Sequence, residues 1–144
     1  MESRCVIGIL NMISSKLDEA VKKKIIKENL PILKNHIPLF YILTEDKTPM
    51  LFNEIATKWN ISKSSLSDIV KKYENLGLIK KHTCNKDKRS YYISLTDESI
   101  KIKKVLYQIE DKILEKLMRN FNENDKALFN NFLDKALSNT SKIE

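Results

Sequence analysis

Apolar residues in this chain recur at two different periods, and the change of period marks out its parts. Between residues 6 and 30, Val6, Leu10, Ile13, Leu17, Val21, Ile25 and Leu30 fall mostly three or four positions apart. That spacing predicts one face of a long helix, ending before Pro31. Pro38 suits a helix start, and residues 39–43 read as a short, almost wholly buried helix. Thr48 followed by Pro49 signals the start of a third helix holding residues 51–59, with Asn60 as a left-handed turn residue. Ser62 is a good N-cap for a fourth helix, whose inward side is Leu66, Ile69, Val70, Tyr73 and Leu76 and whose stop is Gly77.

The period then shortens to two. Residues 78–83 and 90–95 read as strands, and in the second Tyr91, Ile93 and Leu95 alternate with Tyr92 and Ser94. Between them lies a charged tip, Cys84 to Arg89. Helical spacing returns with Ile102, Val105, Leu106, Ile109, Ile113, Leu117 and Phe121 as the inner face of a second long helix. Asn122, with Asp125 three residues on, caps a last helix bearing Leu128, Phe129, Phe132, Leu133, Ala136 and Leu137. The pattern predicts a mainly α fold with a small β-hairpin wing (α+β). We expect a single domain, 1–144, with a winged helix-turn-helix lobe at 38–96. Long N- and C-terminal helices, 1–37 and 97–144, form a dimerisation region around it.

The water-facing side of the fourth helix is unusual. Exposed helix positions favour Glu, Lys, Gln and Ala, whereas this helix opens with Ser62, Lys63, Ser64, Ser65 and Ser67. Serine competes with the helix for backbone hydrogen bonds, so the cluster costs propensity. Short hydroxyl side chains do permit close approach to base edges in a major groove only about 12 Å wide. Lys63 opposes the helix dipole unless a phosphate docks at that end. We expect Ser64, Ser65, Ser67 and Asp68 nearest the bases, with Lys63, Lys71 and Lys72 toward the backbone, and Ser62 counted among the DNA-binding residues.

Charge supports the same reading. The chain carries 26 Lys and Arg against 19 Asp and Glu, a net +7. Residues 62–92 hold eight basic and three acidic side chains, so +5 of that +7 is concentrated there. On the wing, Lys86, Lys88, Arg89 and Ser90 are the expected DNA contacts, Arg89 reaching a minor groove and Asp87 supporting it. Two glycines and three prolines disfavour sandwiches and barrels. With so little glycine there is no phosphate loop, and no nucleophile–His–acid set stands out, so catalysis is not expected.

Cys5 and Cys84 form neither a disulfide framework nor a zinc spacing, and His36 and His82 are the only histidines. No metal or cofactor is expected. No apolar run approaches the roughly 20 residues that span a bilayer. Residues 5–13, CVIGILNMI, read as the first helix rather than as a signal peptide, in a cytoplasmic protein.

The stretch LFNEIATKWNISKSSLSDIVKKYENLGLI, the tip DKRS and the following SLTDES resemble the MarR family of multiple-antibiotic-resistance regulators in order and spacing. Ser99 stands where that family usually has glycine, and Trp59 where it more often has an aliphatic residue. The resemblance implies a homodimeric transcriptional regulator, a repressor, bound to a pseudo-palindromic double-stranded operator. It also implies release by a small-molecule effector, for which His36, Tyr41 and Trp59 are candidate lining residues, although such groups are more often simply core. Some relatives sense oxidants through a cysteine near the first helix, where Cys5 lies. The rival readings are a winged-helix protein-interaction module and a thiol-based redox regulator using Cys5.

Overall fold

Asn29 ends the first helix sooner than the apolar stripe predicts. In the computed structural model, which describes residues 5–83 and 90–143, helix α1 runs Val6–Lys27. Asn29 takes φ 52°, and the amides of Asn29 and Leu30 bond back to Ile26 and Ile25 at 3.1 and 3.0 Å. Such a left-handed reversal satisfies carbonyls that a helix end would leave bare. Leu30 still joins the core from beyond the helix, which is why the stripe ran on through it. A 3-10 turn, Lys34–His36, then leads into α2, Ile37–Ile42, with Pro38 in its first turn. Leu39, Phe40 and the C-cap Leu43 are fully buried.

The start signal at Thr48 and Pro49 opens a strand instead of a helix. Strand β1 is Met50–Leu51, and α3 follows at once as Phe52–Trp59. Before it, Asp46 accepts hydrogen bonds from the Thr44 hydroxyl and the Thr48 amide, which hold its carboxyl down to about 2. Asn60 is left-handed at φ 58°, as expected. Helix α4 is Lys63–Asn75, its inner side formed by buried Leu66, Val70 and Tyr73 with half-buried Ile69. Leu76 departs from the expected face and is 50% exposed. It is the C-cap, and the reversal at Gly77, φ 74°, turns Leu78 inward in its place. The Leu78 amide bonds to the Tyr73 carbonyl at 2.9 Å.

Strands β2, Ile79–Thr83, and β3, Tyr91–Leu95, pair antiparallel from Ile79↔Leu95 to Thr83↔Tyr91. Strand β1 adds to the other side of β3 through Met50↔Ile93 and Leu51↔Tyr92, giving the order β1-β3-β2. The alternation expected along β3 breaks at Ser94, which is buried between Ile93 and Leu95. His82 of β2 satisfies its hydroxyl, Nε2 to Oγ 2.8 Å, so this burial leaves no polar group unpaired.

Helix α5, Asp97–Leu117, begins at a reciprocal cap. The buried Ser99 hydroxyl accepts from the Thr96 amide at 2.8 Å, and Thr96 Oγ1 accepts from the Ser99 amide at 3.3 Å. Serine here supplies what a capping box draws from Glu or Gln. Along the helix Ser99, Lys103, Leu106 and Ile109 are buried, whereas Ile102 and Val105 are half-buried. The chain divides into two units, 1–110 and 111–144. In the second, α5 ends short of Phe121, Asn120 reverses the chain at φ 70°, and α6 spans Glu123–Asn139. Asn122 and Asp125 form the expected capping box. Phe121 packs edge-on against Phe129, 5.7 Å between centroids.

Candidate nucleic-acid interface

Helix α4 is presented to solvent by the same residues that shape its start. The Ser62 hydroxyl accepts the Ser65 amide at 3.1 Å and donates to Ser65 Oγ at 2.9 Å. Two of the serines therefore serve the cap, holding a helix whose first turn carries Lys63 rather than an acid. Lys63, Ser64, Ser67, Asp68, Lys71 and Lys72 all lie exposed on the side opposite Leu66, Val70 and Tyr73. That row is continuous, cationic and hydroxyl-bearing.

The row runs into a hollow of about 420 Å³ between the starts of α3 and α4 and the root of the wing. Lys63, Ser64 and Ser67 line it from α4, Asn53 from α3, and Ser90 and Tyr91 from the wing. The structure thus brings Ser90 to the same place as the α4 residues. Lys86, Asp87, Lys88 and Arg89, like Cys84, lie outside the described residues. Tyr91 is the hub of the hollow. Its ring packs on Phe52 with centroids 4.8 Å apart, and the Lys81 ammonium sits 4.0 Å from the ring centroid. Burial and the Glu74 carboxylate push the Tyr91 phenol up, against the hydrogen bond from Ser67.

Asn53, Lys81 and Tyr91 were not singled out by the sequence. Asn53 is one of many polar residues at a helix start. Lys81 and Tyr91 acquire meaning only when β2 and β3 are placed side by side.

The three aromatic and imidazole candidates for an effector pocket do not converge. His36 bonds to Tyr73, Tyr41 packs against Tyr107, and Trp59 packs on the core. A separate hollow of about 370 Å³ opens beside α1, α2 and α5. Val21, Ile37 and Pro38 line it together with Glu110 and the Lys34–Asp18 ion pair, 2.9 Å. Cys5 is exposed, and its sulfur accepts the Gly8 amide at 3.4 Å as the cap of α1. Among the described residues no cluster of His, Cys, Asp and Glu is placed to hold a metal, and no helix is long and apolar enough to cross a membrane.

Residues 35–90 match the model of the MarR family. The chain is 31% identical over 78 residues to the HTH-type transcriptional regulator MgrA of Staphylococcus aureus. That match covers 53% of each protein, so the chain spans about half the length of the curated relatives it matches. Solved structures extend the likeness in fold to nearly the whole chain. A MarR transcriptional regulator from Methanosarcina mazei Go1 superposes with TM-score 0.82 at 20% identity, over 96% of this chain and 98% of that one. MepR of S. aureus, solved in complex with DNA, superposes with TM-score 0.75 at 22% identity, over 94% and 98%.

Proposed function

We propose that this chain is a winged-helix transcriptional regulator of the MarR family, and that it binds double-stranded DNA as a homodimer. Helix α4 enters the major groove, with Ser64 and Asp68 facing base edges. Lys63, Lys71 and Lys72 meet phosphates. Ser62, Ser65 and Ser67 give the helix a low, hydroxylated profile that lets it approach closely. The wing follows the adjacent backbone, Ser90 at its root and Lys86, Lys88 and Arg89 at its tip with Asp87 in support. This assignment of the tip rests on sequence alone. The operator is pseudo-palindromic, with half-sites about one helical turn apart, because a two-fold dimer repeats its reading head. The protein acts as a cytoplasmic repressor released by a small molecule, for which the hollow beside Lys34 and Glu110 is the proposed seat.

One observation carries this reading. The serines and lysines of α4 are exposed on one face, and that face opens into a hollow shared with the wing root. A groove-binding element needs that combination of reach, charge and hydrogen-bonding groups. The test is selection of bound duplexes from a random pool, followed by Ser64→Glu. The added carboxylate faces phosphates, so binding should fall at least a hundredfold while the fold is kept, a loss of the size reached when a charge contact becomes repulsive. Undiminished binding would mean that α4 does not face the DNA.

A further inference from the structure

On the buried side of α4, Tyr73 makes a contact that DNA binding does not require. Its side chain is fully buried between Phe40 and His36, each ring packed edge-on at 5.1 and 5.5 Å between centroids. The Leu33 amide donates to the Tyr73 hydroxyl at 3.1 Å, and His36 Nδ1 lies 2.7 Å from the same oxygen. Leu33 precedes and His36 ends the 3-10 turn that joins α1 to α2. We infer that His36 is a positioning residue for α4: its neutral imidazole, accepting the Tyr73 hydroxyl at Nδ1, ties the DNA-reading helix to the α1–α2 connection, and protonation undoes the tie.

The proton count leads to that statement. A phenol has one proton to give. Leu33 approaches the oxygen as a donor, so the phenol proton is directed at Nδ1, and the imidazole carries its own proton on Nε2. A charged imidazole would bring a second donor to the oxygen and leave the phenol proton without an acceptor in a buried site, a costly arrangement. The surroundings oppose the charge too. Burial, and then the Lys72 ammonium on α4, hold the His36 pKa below its ordinary value. On the connection, Lys34 is paired with Asp18 of α1, and α2 supplies no charged side chain, its titratable group being the Tyr41 phenol. A depressed histidine adds stability that is fully present above its unfolded value near 6.5 and is lost as pH falls through the lower native value.

Because this inference rests on α4 being the DNA-reading helix, its test pairs a DNA-free readout with a binding one. By NMR, the His36 imidazole of the free full-length chain should titrate below 6.5, and Tyr73→Phe should return it toward that value. A midpoint at or above the ordinary value in the unaltered chain would overturn the tie. Binding of the selected duplex is then followed by fluorescence anisotropy from pH 7.5 down to 5. His36→Asn leaves an acceptor near Nδ1 that does not titrate. It should bind within about threefold of the parent at pH 7.5 and escape the roughly tenfold loss expected of the parent on acidification, a coupling of ordinary size between a proton and a bound duplex. His82→Gln should keep the parent's profile, which separates the chain's two histidines. If His36→Asn weakens with acid as steeply as the parent does, His36 does not position α4. If no duplex binds at any pH, the DNA reading fails, and the titration still decides the tie.

Discussion

Lys103 shows at the residue scale how a pattern of apolar positions can mislead. Its side chain sits in the buried face of α5, 4% exposed, where the stripe had placed Ile102. The reason lies in α2. Its C-cap, Leu43, has a carbonyl that no later turn of the helix can use, and Lys103 Nζ donates to it at 3.0 Å. The Tyr41 and Tyr107 rings lie 5.8 and 5.9 Å from the ammonium. Glu45, 4.0 Å away, partly offsets the desolvation that lowers the lysine's pKa. No periodicity rule anticipates a lysine inside, because the need for it arises 60 residues away. Lys103→Met keeps the apolar stem and removes the donor, leaving a buried carbonyl bare. We predict a loss of about 1 kcal/mol in urea unfolding. An unchanged midpoint would show that the carbonyl finds another partner.

At the scale of elements, legibility followed locality. Helix α4 was readable from its cap to its stop, apart from Leu76, because the signals at both ends are short-range: Ser62 accepts the amide three residues on, and Gly77 turns the chain at φ 74°. The capping box of α6 was readable for the same reason. Strand β1 was not. Two residues carry no period, and Met50 and Leu51 become a strand only because Ile93 and Tyr92 lie beside them. A proline after Thr48 resembles a helix start whether or not a strand intervenes. The hollow beside α4 was half readable: its serines and lysine stood out, whereas Asn53 and Tyr91 depended on how α3 and the wing come together. Gly77→Ala tests the local logic. Open space surrounds the position where its Cβ would stand, so the cost is conformational alone, about 1–2 kcal/mol. Thermal unfolding should register that loss with binding preserved; no change would mean that the backbone there can leave the left-handed region freely.

Each of the two units taken as a whole leaves apolar surface in water. On α1, Val6, Ile7, Leu10 and Met12 are 54–73% exposed, and on α6 Phe132, Leu133 and Leu137 are 46–71% exposed. Stripes of this extent on amphipathic helices are stable when covered, which is the physical ground for proposing that a second copy of the chain completes the molecule. A dimer doubles the reading head and so doubles the phosphates engaged. Three contacts from Lys63, Lys71 and Lys72 of each copy would release enough counterions for a slope of about −5 in log affinity against log salt. The most direct measurement is therefore a salt titration of duplex binding by the full-length chain, followed by anisotropy, with sedimentation reporting mass under the same conditions. The account predicts a particle of twice the 16.8 kDa chain mass whose affinity falls along that steep line. A monomer, or binding that is absent or indifferent to salt, would contradict it.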